Sequence, residues 1–298
     1  MGRITLAAAR ASCLPLIELP RVTFSFSETL VACDLCGGKD FAIRDAATRV
    51  MQCRRCGYRF TNPRPSQAEI AAAYSAPAQY DGWLAQDAGR EIMWSRRWAL
   101  VKQFAKGKRL LDVGAGIGTF LAHAHADGWD VTGTEISRSA IGIARERYGI
   151  ALIEGQLEDI PTAGQFDLVT MWHVLEHLPS PSHAVTQCRD LLKTGGLMVV
   201  AVPNDSDARW RFQRLKNGKY MPYEELEPGK EIHLSHFTVR VLKRTLESRG
   251  FRVERATVDD HYPERSPRRD RLVATYRTVM AGTGMNLGVA TLVLARAV

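Results

Sequence analysis

Several features are missing from this 298-residue sequence, and each absence narrows it before any motif does. It has no convincing membrane span. The longest uncharged run, 278–295, holds three glycines, an asparagine and three threonines, so it suits a bilayer poorly despite adequate length. No compact apolar core followed by a small-residue cleavage site occurs in the first 31 residues, so no secretory signal is read. No internal repeat is visible. Cysteine is scarce and clustered: four of the six fall in two CxxC pairs, leaving Cys13 and Cys188 over, which argues against a disulfide framework and for metal binding in a reducing compartment. Acidic residues are outnumbered, 32 against 40 basic ones, giving a net charge of +8 and a pI near 9.3. That balance admits nucleic acid, phosphorylated small molecules or a membrane surface as partners without choosing among them. With 45% hydrophobic and 24% charged residues, the expectation is a folded, cytoplasmic, globular enzyme.

Along the chain four stretches are expected: an N-terminal tail (1–31), a cysteine module (32–60), a linker with a helical cap (61–107) and an α/β domain (108–298). The joint TNPRPS carries two prolines, and Ser66 is placed to cap a helix beginning QAEIAAAY. Residues 83–106 carry Trp83, Ile92, Trp94, Trp98 and Phe104 among charges, an amphipathic helical pattern. From Lys108 onward the runs RLLDVG, WDVTGTE, IALIEG, FDLVTMW and LMVVAV alternate with helical segments. This predicts a mostly parallel sheet with helices on both faces. FRVERATVD and GVATLVLARA read as a closing pair of strands, and HYPERSPRRDR with the glycine-bearing stretch between them as an insertion or flexible loop.

In the cysteine module, CDLCGG and CRRCGY place Cys33, Cys36, Cys53 and Cys56 with 16 residues between the pairs. Four thiolates at this spacing can close a tetrahedral zinc site of the ribbon type, and the glycines after each pair favour the tight turns it needs. Such a closed site is structural.

The chemistry-bearing segment is LLDVGAGIG. Asp112, Gly114, Gly116 and Gly118 stand as DxGxGxG between a strand and a helical stretch, where glycines let backbone approach a ligand closely. Glu135 ends the next strand, 21 positions after Gly114, where a carboxylate can accept hydrogen bonds from ribose hydroxyls. A nicotinamide-binding loop would carry a third glycine where Thr119 stands, and Asp112 fits a cationic ligand group better than a pyrophosphate. LLDVGAGIGTFL, TGTEIS, GQLEDIP and FDLVTMWHVLEHLPSP together resemble the ordered motifs of class I S-adenosylmethionine (SAM) dependent methyltransferases, over roughly 108–258 and the final strand. The resemblance implies a Rossmann-like seven-stranded domain behind the small N-terminal zinc ribbon. It also implies that Asp112, Gly114 and Gly116 meet the methionine end of SAM, Glu135 its ribose, and Gln156 with Leu157 its adenine.

For methyl transfer the protein must align a nucleophile and manage one proton. His173, Glu176 and His177 follow the fourth strand at i, i+3 and i+4, so a helical turn would set them on one face as metal ligands, as base and orienter, or as polar packing. The resemblance extends to O-methyltransferases that hold a divalent ion on an ExxEH motif here; this chain has His173 in place of the first glutamate. In EIHLSHFT, His233 and His236 are expected near the same mouth, either one able to add a ligand or deprotonate a hydroxyl, with Thr238 as a helix cap.

For the acceptor, a ribbon followed by NPRPS resembles bacterial methyltransferases of surface-polysaccharide and natural-product pathways, implying a sugar or other small acceptor, phosphorylated or not. Two other readings stay open: a zinc-ribbon RNA methyltransferase and a SAM-binding interaction protein without turnover. ARWRFQRLKNGKY (208–220), with five basic residues and no acid, fits nucleotide or anionic headgroup binding as well as a solvated helix. MWHV after strand four, rather than an NPPY-like turn, argues against base methylation.

Overall fold

The structure is a computed structural model and describes residues 24–74, 87–160, 165–218, 222–227, 230–259, 261, 263 and 266–298. Cys13, Trp83 and Tyr220, all singled out in the sequence, lie outside them.

Among the described residues the larger sheet has seven strands: β4 (Arg109–Val113), β5 (Asp130–Glu135), β6 (Ile153–Glu154), β7 (Phe166–Trp172), β8 (Leu192–Pro203), β10 (Phe251–Val258) and β11 (Ala290–Ala297). Their order is β10-β11-β8-β7-β4-β5-β6, and β11 alone runs against its neighbours. Parallel strands covered on both faces must be apolar throughout. Leu110, Leu168, Leu197 and Val199 accordingly face one core with α2 (Asp87–Val101) and α3 (Thr119–Ala126), whose Trp98, Phe120 and Leu121 pack there. Leu111, Val169, Met198 and Val200 face the opposite core with α5 (Pro181–Leu191) and α7 (Val239–Glu247), where Val185, Cys188 and Leu242 are buried.

A second sheet has four strands among the described residues. β1 (Phe41–Asp45), β2 (Val50–Cys53) and β3 (Arg59–Thr61) form the ribbon, and β3 pairs onward with β9 (Ser235–His236), which follows β8 in the chain. Cys33, Tyr58 and Phe60 belong to the same core as Val169 and Met198. The ribbon is thus packed into the α/β domain rather than strung from it. Glu28, inside the expected tail, makes an antiparallel bridge with Arg64.

Ser66 opens α1 (Gln67–Tyr74) as expected, in a reciprocal box: its hydroxyl accepts from Glu69 N at 3.3 Å while Glu69 Oε2 accepts from Ser66 N at 2.9 Å. α4 (Arg138–Tyr148) follows β5, and the basic segment forms α6 (Ala208–Asn217), with Phe212 and Leu215 exposed. The stretch expected as a loop after β10 instead becomes α8 (Pro267–Thr283). Its end signals are regular ones, Ser266 accepting from Arg269 N, Pro267 in the first turn and Gly284 left-handed at the end; its dense arginines masked them. No helix among the described residues is long and apolar enough to cross a membrane.

Candidate active site

β4 ends on Asp112 and Val113, and the chain turns back through Gly114, Gly116 and Gly118, with φ of 67°, 56° and 78°. This left-handed backbone suits glycine and penalises a Cβ. Gly114 has a second reason: a Cβ there would lie 2.6 Å from Val174 Cγ2. Ala115 N–H donates to the Thr134 carbonyl at 2.8 Å, tying the loop to the end of β5. There the buried Glu135 is drawn onto the loop. Its Oε2 accepts from Gly116 N at 2.8 Å, and its Oε1 accepts from Ile136 N and Ser137 N at 2.9 Å each. Asp112 lies beneath, its Oδ1 accepting from Thr170 Oγ1 at 2.6 Å. Burial pushes the Asp112 carboxyl up to about 7, aided by the nearby Glu135 charge and opposed by the Thr170 hydrogen bond.

A cavity of about 630 Å³ opens above this loop. Gly114, Gly116, Glu135, Gln156 and Leu157 line one end of it. Asp112 and Gly118 stand behind its wall, Gly118 backing onto Ala144. Gln67 Nε2, from α1, donates to Gln156 Oε1 at 3.2 Å, so the segment after the ribbon roofs this end.

His173, His177, His233 and His261 line the other end. The segment after β7 is a turn and not the expected helical face: His173 has φ of 56°, and His177 N–H donates to the Val174 carbonyl at 2.9 Å. The left-handed residue rotates His173 away from His177. Its Nε2 lies 3.3 Å from Asp259 Oδ2 and its ring 4.3 Å from that of His261. Arg97 grips Asp259 through Nε at 3.2 Å and through Nη2, and its guanidinium lies over the rings of Trp94 and Trp172 at 4.6 and 4.8 Å. Burial opposes the Asp259 charge, yet Arg97 and His173 hold this carboxyl far below the ordinary range. Burial likewise opposes the His173 cation, but the hydrogen bond to Asp259 and the Glu176 carboxylate beside it override this and lift the imidazole to about 9.

Glu176, only 1% exposed, joins the two halves of this end. Its Oε1 is 3.4 Å from His173 Nδ1 and 4.0 Å from His177 Nε2. His177 Nδ1 donates to the Ile232 carbonyl at 2.7 Å, which fixes the proton on that nitrogen and turns Nε2 toward Glu176. Desolvation lowers the pKa of His177. The His233 ring is 5.0 Å away, with Nε2 3.4 Å from Glu231. Glu176, His177 and His233 each present a donor atom within 4.8 Å of the others.

His236 does not join them. It sits on β9 against Tyr223, ring to ring at 4.4 Å, and burial pushes it down to about 3. Side chains an odd number of positions apart in extended chain face opposite ways, so His233 and His236 diverge. Thr238 caps α7 as expected. Sequence reasoning missed Asp259, His261 and Arg97. Asp259 follows the end of β10, at the strand-end edge where open α/β sheets bind ligands, which was the available signal.

The four cysteine sulfurs fit a metal. They lie within 4.8 Å of one another, with Cys33–Cys56 and Cys36–Cys53 at 3.6 Å. Four sulfurs about 2.3 Å from a tetrahedral zinc stand roughly 3.8 Å apart. Gly37 and Gly57 are left-handed, and their N–H groups donate to the Cys33 and Cys53 carbonyls, forming the two turns.

This strand order, with a glycine loop after the first strand of the α/β domain and an acidic residue closing the second, is the fold of class I SAM-dependent methyltransferases. The chain belongs to the methyltransferase domain family, whose model matches residues 87–256. It is 34% identical over 115 residues to the ubiquinone biosynthesis O-methyltransferase of Dechloromonas aromatica, covering 36% of this chain and 49% of that protein. A ubiquinone biosynthesis O-methyltransferase of Aromatoleum aromaticum is 37% identical over 117 residues, covering 36% of this chain and 48% of that protein. The chain spans about half the length of the curated relatives it matches. In fold it is similar to magnesium protoporphyrin IX methyltransferase from Synechocystis with bound S-adenosylhomocysteine (SAH), with a TM-score of 0.53 and 13% identity over 78% of this chain and 100% of that one. It is also similar to a SAM-dependent methyltransferase of Thermotoga maritima, a possible histamine N-methyltransferase, with a TM-score of 0.51, 16% identity and coverage of 76% and 99%.

Proposed function

We propose that this methyltransferase moves the methyl group of SAM to an oxygen of a small-molecule or glycan acceptor in the cytoplasm. The observation carrying this reading is the continuous cavity that runs from the glycine loop to His177 and His233. Asp112, Gly114 and Gly116 are assigned the methionine end, Glu135 the ribose, and Gln156 with Leu157 the adenine. Bound SAM supplies a methyl group already activated on a sulfonium sulfur. This chain's residues must then align the acceptor and take one proton. His177 is suited to receive that proton, because its Nδ1 proton is committed to Ile232 and burial favours the neutral ring. Arg90 and Lys230 lie on the cavity wall with Glu158 and Glu231, so a phosphorylated acceptor would meet charges of both signs there. The curated relatives, named for ubiquinone O-methylation, favour oxygen over nitrogen or carbon.

A second reading of the same end has its own support. Glu176 Oε2 is buried without a hydrogen-bond partner and Oε1 has its shortest contact, 3.4 Å, with His173, while His177 and His233 offer nitrogens beside them. His177 donating its other nitrogen to a backbone carbonyl is the arrangement of a metal ligand. These three residues would hold a divalent ion that orients the acceptor oxygen.

The test is SAH release from SAM in the presence of extracted small molecules and glycan precursors. His177→Ala and His233→Ala are expected to lose turnover at least tenfold while binding SAH normally. Full turnover in both variants sinks the assignment. Strong dependence on added divalent ion selects the metal form, and steeply salt-dependent RNA binding with RNA methylation selects an RNA enzyme instead.

A further inference from the structure

No described residue of 32–60 lines the cavity, yet the ribbon and the residues just after it hold both walls of its histidine end. On one wall, Asp34, inside the first CxxC pair, reaches across 146 positions to Ser180, whose Oγ donates to Asp34 Oδ1 at 2.6 Å. Asp34 Oδ2 accepts from Ser182 N at 2.8 Å and Oδ1 from Ser182 Oγ at 3.0 Å. Ser180 makes no side-chain cap of its own at the start of α5, so the carboxylate of the zinc turn caps that helix from outside. Beside it, the buried Arg64 donates from Nη1 to the Pro179 carbonyl at 2.6 Å and is fixed by Glu28 at 2.8 Å. Pro179 and Ser180 line the cavity two and three residues past His177.

The other wall is held as firmly. Tyr58 OH and Ser235 Oγ share a buried hydrogen bond of 2.5 Å, Thr61 N–H donates to the Leu234 carbonyl at 3.0 Å, and β3 pairs with β9 through Arg59–His236 and Phe60–Ser235. Leu234 N and Ser235 N in turn donate to the Glu176 carbonyl at 2.9 and 3.0 Å. The ribbon therefore clamps residues 176–182 and 231–235 together. His177 and His233 project from these two segments toward one another.

We propose that the cysteine ribbon is a positioning module for the acceptor end of the cavity, acting through Asp34, Arg64 and Tyr58. Metal in the cysteine site sets the spacing of His177 and His233, while the glycine-loop end, met from this side through Gln67 of α1, keeps its affinity for SAH. The proposal rests on the histidine end being the acceptor end; its test reads geometry and not turnover, so the two fail separately. A ribbon serving only as a docking module would have no reason to cap α5 or to pair with β9.

The experiment uses the full chain with metal bound at the cysteines, and three variants: Ser182→Ala, Tyr58→Phe and, as control, Asp40→Ala on the exposed Asp40–Arg54 pair of the same ribbon. Ser182→Ala and Tyr58→Phe leave the cysteines and the ring packing in place, so metal content and folding persist. Amide exchange over 176–182 and 231–236 is expected to rise at least tenfold in both. The imidazole resonances of His177 and His233 should move, and the Kd for SAH should change less than twofold. Removing metal with a chelator should reproduce the pattern, and Asp40→Ala should not. Unmoved exchange and imidazole signals in both variants overturn the proposal. So does a loss of SAH affinity that parallels the exchange, which would make the ribbon a support of the whole fold.

Discussion

Asp112 offers a test of the donor end that needs no acceptor. In the free protein its carboxyl is buried against Thr170 and pushed up to about 7, so near neutrality it is half protonated. If the ammonium of the amino-acid end of SAH settles beside it, the carboxyl returns toward the ordinary carboxylate range and the proton leaves. The sign follows from linkage: binding that releases a proton tightens as pH rises, up to the pKa of the free group, and is flat above it. With a free pKa of about 7, roughly 0.9 proton leaves per SAH at pH 6, about 0.5 at pH 7 and about 0.1 at pH 8. Between pH 5.5 and 8.5 the Kd should fall about 30-fold, equivalent to about 2 kcal/mol. Calorimetric titration of SAH in two buffers of different ionisation enthalpy measures the released proton directly. Asp112→Asn cannot ionise and should lose both the slope and the buffer dependence, which separates Asp112 from the cavity histidines. A Kd independent of pH over this range, or an unchanged slope in Asp112→Asn, refutes the placement of the ammonium beside Asp112.

Three further outcomes are expected. Glu135→Ala should weaken SAH about 10- to 150-fold, since hydrogen bonds to a charged acceptor are worth about 1.5–3 kcal/mol; a Kd within twofold of the parent would remove Glu135 from the ribose site. Asp259→Asn leaves Arg97 buried with its charge uncompensated and should cost about 3–5 kcal/mol in urea unfolding, with His173 losing its raised pKa in an NMR titration; equal stability would show that the pair is not what holds this corner. Gly114→Ala forces a Cβ into Val174 and a side chain into left-handed backbone, the latter alone worth about 1–2 kcal/mol. SAH binding by this variant should be lost even at temperatures where circular dichroism reports a folded chain, and unchanged binding would refute the close-approach role of the loop.

The glycine-loop end of this protein is legible in the order of its residues alone. DxGxGxG, the acid ending the next strand and the alternation of apolar runs are local patterns, each enforced by backbone geometry within a few residues or by one strand–helix unit. The cysteine spacing is equally local, because a tetrahedral site of four sulfurs admits few spacings. The histidine end is settled by tertiary packing. The spacing i, i+4 predicts His173 beside His177, but one left-handed residue sends it to Asp259, 86 positions away. His236 is expected beside His233, but extended backbone puts them on opposite faces. The ribbon reads as a separate module because nothing in residues 32–60 announces that β3 will pair with Ser235–His236 or that Asp34 will cap a helix 146 positions on. Glycine loops are specified by torsion angles; the histidine end is specified by which distant segments the core brings together, and a pattern read along the chain does not carry that information.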